Sequence, residues 1–160
     1  MLMQITEPVT MLTDYALGAV SIYFGIRLAR EIGPRNRTCG RLWVLGFVGS
    51  AVASIAGGTY HAFTLMIPPP AMRSLWNVTM ISIGVSSAFI ISGAMASSIK
   101  KADESRVWLR RGLYLTLGGF ALQMTGFRHG ADFNHNDAFH IIQIVALYLF
   151  FRGARLLQDK

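Results

Sequence analysis

The fold of this chain is decided in the stretch Asp132-Phe133-Asn134-His135-Asn136-Asp137-Ala138-Phe139-His140-Ile141-Ile142-Gln143, where polar groups give way to an apolar segment. From Ile141 to Phe151 almost every residue is hydrophobic, as in a helix that enters a membrane. His140 and Gln143 therefore lie at or inside the hydrocarbon boundary. An ionisable or amide side chain is costly there and usually has a function, so this stretch is the first candidate site.

The composition is that of a membrane protein. Of the 160 residues, 52% are hydrophobic and only 14% are charged, which is too apolar for a soluble domain of this size. We expect one compact integral membrane domain over residues 1–160. The net charge of +7 could suggest nucleic acid, but the basic residues form short clusters between apolar runs, so we expect no nucleic-acid partner.

Five apolar segments are long enough to cross a bilayer, which takes about 20 residues per helix. Short connections with Gly, Pro or charged residues separate them. We predict an all-α bundle of five transmembrane helices at about 13–30, 42–67, 75–98, 107–127 and 136–152.

The basic residues predict the orientation of these spans. The first loop, the third loop and the C-terminal tail hold 13 of the 15 Lys and Arg residues, whereas Arg73 and Arg128 are the two in the other loops. Because cytoplasmic loops carry the positive excess, we predict an external N-terminus and a cytoplasmic C-terminus. We expect the bacterial inner (plasma) membrane as the location.

Small residues at four-residue intervals predict which helix faces pack closely. In the second span they are Gly46, Ser50, Ser54 and Gly58, and in the third span Gly84, Ala88, Ser92 and Ala96. The same surfaces could instead hold a second copy of the chain or a partner membrane subunit.

This topology brings scattered polar residues to the external end of the bundle. Within the fifth span, a turn of about 100° per residue places Asn136, His140 and Gln143 on one stripe and Asp137 about 60° from His140. The other members are Asp14, Tyr15, His61, Asn77, Thr79, Gln123, Arg128, His129 and His135.

Each member also has a structural interpretation. Asn134 followed by Asp137 resembles a helix N-cap with an acid in the first turn. His129 and His135 could be solvated loop residues. His61 and His140 have apolar neighbours, so they could make buried hydrogen bonds or bind a ligand.

Two or three histidines with a carboxylate, drawn from different helices, fit a zinc site with an open position for water. Such a metal makes a hydroxide nucleophile at neutral pH, and a carboxylate could act as ligand, general base or orienting group. The candidate metal ligands are His61, His135 and His140, the candidate catalytic carboxylates are Asp137 and Asp14, and the supporting polar residues are Asn136, Gln143 and Asn77.

Two motifs carry a family resemblance. Thr59-Tyr60-His61-Ala62-Phe63, after a Ser/Gly-rich run, and the helix start His135-Asn136-Asp137-Ala138-Phe139-His140 resemble motifs of the CREST membrane hydrolases, which include alkaline ceramidases and progestin/adiponectin receptors. The resemblance implies zinc held by His61 and His140 and cleavage of lipid amides. This chain departs from the family in having five spans rather than seven, Asn136 four residues before His140, and Gly57 where the family has a serine.

Three functions follow as alternatives. The first is a metal-dependent hydrolase of a lipid or other amphiphile that enters from the outer leaflet of the bilayer. The second is a non-enzymatic membrane subunit or small carrier that acts as an oligomer or within a larger complex. The third is haem binding, with His61 and His140 as axial ligands from facing helices.

Overall fold

The computed structural model of the chain describes residues 5–97, 103–130 and 133–160. These residues form five α-helices and one antiparallel pair of two-residue strands, in which Arg128 faces Asn134 and His129 faces Phe133. The prediction of five long helices is confirmed. The elements are α1 (Pro8–Ala29), α2 (Arg37–Phe63), α3 (Pro69–Ala96), α4 (Asp103–Met124), β1 (Arg128–His129), β2 (Phe133–Asn134) and α5 (His135–Ala154).

Local residues explain where the helices begin and end. Proline occupies the first turn of α1 and of α3, where its fixed φ suits the helix and its missing amide costs nothing. Both helices therefore start five or six residues before the predicted apolar spans. The run that begins at Pro68 also prevents α2 from continuing, so α2 ends at Phe63 and not at residue 67.

Four of the described helices are long and apolar enough to cross a membrane: α1, α2, α3 and α5. The predicted fourth span forms a helix, α4, but Glu104, Arg106, Arg110 and Arg111 in its first half lower its hydropathy below that of the other four. Three residues used in the predictions lie outside the described residues: Lys100 and Lys101 of the third loop and Asp132 of the opening stretch.

The helices pack in a row, with α1 between α2 and α5, α3 on the outer side of α2, and α4 on the outer side of α5. The hydrophobic core lies at one end of the bundle, where the C-terminal halves of α1 and α5 meet the N-terminal half of α2. Phe24 of α1 stacks on Phe151 of α5, with 4.7 Å between ring centroids, and Trp43 and Phe47 of α2 belong to the same core. Buried polar side chains lie at the opposite end of the bundle.

The two predicted small-residue faces have different outcomes. In α2, Gly46 meets Ile90 and Ser86 of α3, and the hydroxyls of Ser50 and Ser86 lie 2.8 Å apart, so this prediction is confirmed. In α3 only Ala96 packs against the core, and the prediction of close packing within the chain is wrong for Gly84, Ala88 and Ser92, which are exposed. The face of α3 that packs on α2 instead holds the buried residues Met72, Thr79, Ser86 and Gly93.

The N-terminus of α2 is capped from a distant part of the chain. Asp159 accepts hydrogen bonds from the amides of Thr38 (2.9 Å) and Cys39 (2.8 Å), and its own amide donates to the Arg35 carbonyl. Desolvation opposes ionisation of Asp159, but the hydrogen bonds from Cys39 and Thr38 outweigh it and hold the pKa of this carboxyl below its usual value. The C-terminal segment is thereby fixed to α2.

Candidate functional site

The start of α5 is organised by a capping box. The Asn134 side chain accepts a hydrogen bond from the Asn136 amide at 2.8 Å, and Asp137 Oδ2 accepts from the Asn134 amide at 2.6 Å. The predicted N-cap is thus confirmed. Asn134 also donates to Thr10 Oγ1 of α1 at 3.3 Å, which fixes α5 against α1.

One turn beyond the cap, the His140 ring lies between two side chains of α1. Its Nδ1 atom is 3.1 Å from Thr13 Oγ1, and its Nε2 atom is 3.3 Å from Asp14 Oδ1. Both Asp14 and His140 are buried, whereas Thr13 is half-buried. The imidazole of His140 therefore has a hydroxyl on one side and a carboxylate on the other. We call this end of the bundle the polar end and define it by Asp14, His61 and His140.

Asp14 is placed by the close approach of α1 and α2. A β-carbon added at Gly57 would lie 3.2 Å from Asp14 Oδ2, and one added at Gly58 would lie 2.9 Å from the Tyr15 ring. The pair Gly57-Gly58 therefore leaves room for the first residues of α1. Asp137 is fully buried and close enough to interact electrostatically with Asp14 and His140.

His61 forms a second acid and imidazole pair at the polar end. Its Nδ1 atom is 3.1 Å from Glu7 Oε2, and Glu7 is the more exposed partner, at 41% against 16%. The Tyr60 ring packs edge-on against His61 and also packs against Trp76 of α3. His61 is near enough to His140 for electrostatic interaction, but it has its own carboxylate partner.

The remaining predicted residues have different surroundings. Asn136 Oδ1 accepts from Gln123 at 3.0 Å, and Gln143 Oε1 accepts from Thr116 at 3.3 Å, so both connect α5 to α4. His135 is the first residue of α5, and Asn77 is exposed on α3 and apart from these contacts. Four buried side-chain atoms have no hydrogen-bond partner among the described residues: Trp43 Nε1 in the hydrophobic core, and His135 Nδ1, Asp137 Oδ1 and Gln143 Nε2 in α5.

The predicted zinc ligands are not arranged as a metal site. Among the residues that the structure describes, no group of three or more His, Cys, Asp and Glu side chains could hold a metal ion. His140 is engaged by Thr13 and Asp14, and His61 is engaged by Glu7. These placements do not fit a zinc centre.

Two residues of the site, Thr13 and Glu7, were not predicted from the sequence. Thr13 stands directly before Asp14 and one helical turn after Thr10. The signal that could have identified it is this pair of hydroxyls next to an acid in an apolar segment. Glu7 precedes Pro8, the first helical residue, and was the only acidic residue before the first span. A contact with His61, 54 positions away, has no local signal.

Long apolar helices and a buried polar end define the class of this molecule as a small polytopic membrane protein. The chain belongs to a family of unknown function, DUF6962, which matches residues 9–129 and 99–159. Neither a curated protein nor a solved structure matches the chain. The resemblance to CREST hydrolases gains no support from this family and stays a prediction.

Proposed function

We propose that this protein is a membrane hydrolase that cleaves an acyl ester or amide of an amphiphile, with Thr13, His140 and Asp14 as its catalytic residues. One observation carries the proposal: the His140 ring contacts the Thr13 hydroxyl through Nδ1 and the Asp14 carboxylate through Nε2. A hydroxyl, a base and an orienting carboxylate in series form the constellation that activates a nucleophile on unrelated folds.

The Asp14 carboxylate sets the tautomer of His140. A ring N–H that faces a carboxylate is favoured over a bare ring nitrogen, so the proton of neutral His140 resides on Nε2. Nδ1 is then the basic atom, and it faces Thr13 Oγ1. The Thr13 hydroxyl also donates to the Thr10 carbonyl at 3.0 Å, so it can rotate between a resting acceptor and the base.

The reaction needs no further reactant than water. Thr13 Oγ attacks the acyl carbon while His140 Nδ1 takes the hydroxyl proton, and the same proton then passes to the leaving alcohol or amine. Water, deprotonated by the same nitrogen, then attacks the acyl-threonine ester, and Nδ1 returns this proton to Thr13 Oγ as the ester bond breaks, which restores the hydroxyl. The products are the carboxylic acid and the alcohol or amine.

The position of Thr13 favours a substrate that approaches from the membrane. Thr13 is half-buried near the start of α1, and the adjacent Leu12 is 65% exposed on the apolar surface of the bundle. An acyl chain lying along this surface would bring its carbonyl group to the polar end. A soluble substrate would have no comparable apolar contact.

A hydroxyl-reactive fluorophosphonate probe tests the proposal directly on the purified protein in detergent. We expect covalent labelling of Thr13 and hydrolysis of a fluorogenic long-chain ester, both lost in Thr13→Ala and restored in part by Thr13→Ser. His140→Gln and Asp14→Asn are expected to reduce both signals by about 100-fold, as general base catalysis contributes about 100- to 10,000-fold. Labelling that persists in Thr13→Ala overturns the proposal.

Thr64→Ala is the matched control. Thr64 directly follows α2 at the same end of the bundle, and its hydroxyl donates to the Tyr60 carbonyl of α2 at 2.8 Å. Within the described ranges it has no histidine or carboxylate partner, so its loss should leave labelling unchanged. Equal loss of signal in Thr13→Ala and Thr64→Ala would indicate a general disturbance of the fold.

The predicted zinc and haem cofactors are tested on the same material. Elemental analysis of untagged protein, with His61→Ala and His140→Ala, measures any bound zinc, and an absorption spectrum detects haem by its Soret band. We expect hydrolysis to persist in chelator. Stoichiometric zinc that is lost in His61→Ala, with hydrolysis that chelator abolishes, would instead favour the metal-dependent mechanism.

We further propose that the polar end is external and the opposite end is cytoplasmic, in a bacterial inner membrane. The distribution of Lys and Arg supports this orientation. Ser74→Cys and Gln158→Cys place exposed thiols at the two ends, and the native Cys39 is fully buried. An impermeant maleimide applied to intact cells or spheroplasts should label Ser74→Cys and spare Gln158→Cys, and the reverse pattern contradicts the orientation.

A non-enzymatic membrane subunit is the alternative if neither probe labelling nor hydrolysis is detected. The exposed small-residue face of α3 supports this alternative, since close helix packing in membranes uses such faces. Mass measurement of the protein in mild detergent would then distinguish a homo-oligomer from a complex with a partner subunit.

A further inference from the structure

A cavity of about 480 Å³ lies at the end of the bundle opposite to His140. It opens between the connection from α1 to α2 and the C-terminal segment, and Glu31, Arg35, Asn36, Arg155, Leu156 and Gln158 contribute to its wall. We call it the basic cavity. It shares no residue with the proposed catalytic group, so its role is a separate question.

The charge around the basic cavity is strongly positive. Residues 27–41 and 152–160, which form this end of α1, α2 and α5, hold eight Lys and Arg residues and two acidic residues. Both acids already have partners: Glu31 Oε2 accepts from Arg155 Nε at 2.5 Å, and Asp159 accepts from the amides of α2. The excess of cations makes this surface attractive to anions.

Two arginines are available to an anion in the cavity. No hydrogen bond or ion pair engages the Arg35 guanidinium within the described part of the chain. Arg155 uses Nε for Glu31 and lies over the Phe151 ring, 5.3 Å from its centroid, which limits its movement and leaves its two terminal nitrogens for a ligand. Guanidinium forks match the oxygen pairs of phosphate.

We propose that the basic cavity binds a phosphate group, supplied either by the headgroup of an anionic lipid or by a free phosphate. The wall supports a lipid source because it combines arginines with Leu156, which is 39% exposed, at the end of membrane-crossing helices. Basic pockets at this position between transmembrane helices suit anionic headgroups, and each nearby Lys or Arg strengthens attraction to an anionic membrane surface.

Thermal unfolding of the full chain in neutral detergent tests the site with three probes: phosphatidylglycerol, phosphatidylcholine and inorganic phosphate. We expect phosphatidylglycerol to raise the unfolding temperature and phosphatidylcholine to leave it unchanged. Arg35→Gln should weaken phosphatidylglycerol binding about fivefold, as expected for one arginine near an anionic surface. Glu31→Gln should strengthen binding, since it removes the acid of the wall.

Arg73→Gln is the control, because it removes the same charge from the other end of the bundle, on the exposed surface of α3. Arg155→Gln also removes the partner of Glu31, so Arg35→Gln and Glu31→Gln, which change binding in opposite directions, are the decisive variants. Stabilisation by inorganic phosphate that removes the effect of phosphatidylglycerol identifies a free phosphate as the ligand. Equal responses to the two lipids, or equal losses in Arg73→Gln and Arg35→Gln, overturn the proposal.

Discussion

The Asp14 carboxylate rests against the bare backbone of Gly57, where an added β-carbon would lie 3.2 Å from Oδ2. The same carboxylate contacts His140 through Oδ1 at 3.3 Å. A glycine of α2 therefore sets the position of an acid of α1 relative to a base of α5. Three helices are joined at the proposed catalytic group through one side chain.

Gly57→Ala is expected to reduce fluorophosphonate labelling of Thr13 at least tenfold while the protein stays folded. The new methyl group displaces the Asp14 carboxylate by rotation of its side chain, which disturbs the contact of Oδ1 with His140. Gly84→Ala is the control, since an added β-carbon there meets none of the described residues within 4 Å. It should keep full labelling and gain up to about 1 kcal/mol from helix propensity. Equal labelling in both variants would mean that Gly57 does not position Asp14.

The contact between Asp14 and His140 should appear as non-additive stability. Removing one member of a buried acid and base pair leaves the other without a partner and costs about 3–5 kcal/mol, whereas replacing both costs less than the sum. Asp14→Leu, His140→Phe and the double variant, unfolded in detergent by added denaturant, form the required cycle. Additive losses would show that the two side chains do not interact.

Sequence patterns predicted the start of α5 because its signals are local. Asn134 and Asp137 are three residues apart, and both hydrogen bonds of the capping box join neighbours in the chain. The helical turn also predicted that Asp137 and His140 are close. Pairing partners could not be predicted in this way: Thr13 contacts His140 across 127 positions, and only the packing of α1 on α5 decides which side chains of α1 face the ring.

Hydropathy predicted the number of helices but not which faces of α3 pack. Gly84, Ala88 and Ser92 have the spacing of a packing face, yet α3 turns Ser86 and Gly93 towards α2. The reason lies in the partner, because the Ser86 hydroxyl donates to the Gly46 carbonyl at 2.8 Å and Gly93 accommodates the Trp43 ring. Complementarity between two helices is a property of the pair, and the α3 sequence by itself does not contain it.

Acid is expected to weaken the cap that Asp159 forms on α2. The folded pKa of Asp159 is held below the ordinary value of 3.8, so its contribution to the free energy of unfolding is complete above that value and is lost as pH falls through the folded pKa. Asn has one acceptor oxygen where Asp159 uses two, so Asp159→Asn should cost about 1 kcal/mol at neutral pH, the net contribution of one hydrogen bond, and less at about pH 3. Denaturant unfolding at the two pH values measures the difference.

Glu104→Gln is the comparison for that experiment. Glu104 is an exposed acid of α4 whose carboxylate accepts from the Trp108 ring nitrogen at 3.3 Å. Its replacement should change stability little at either pH. If Asp159→Asn has the same cost at both pH values, ionisation of Asp159 does not contribute to the cap.

Adjacent glycines of α4 offer a test of how α4 is held on α5. An added β-carbon at Gly119 would lie 3.0 Å from Ile142 Cγ2 and 3.3 Å from Gln143 Nε2, whereas one at Gly118 meets no atom of the described part of the chain within 4 Å. Gly119→Ala should therefore force α4 away from α5 and strain the hydrogen bond from Thr116 to Gln143, at a cost of about 1–3 kcal/mol.

Gly118→Ala makes the same chemical change one residue away and should stabilise the helix by up to about 1 kcal/mol. Thermal unfolding of the two variants in one detergent measures the difference, and because both replace glycine by alanine, helix propensity cancels in the comparison. A Gly119→Ala variant as stable as Gly118→Ala would show that α4 does not pack on α5 through this face, and α4 would then be free to contact a partner within the membrane.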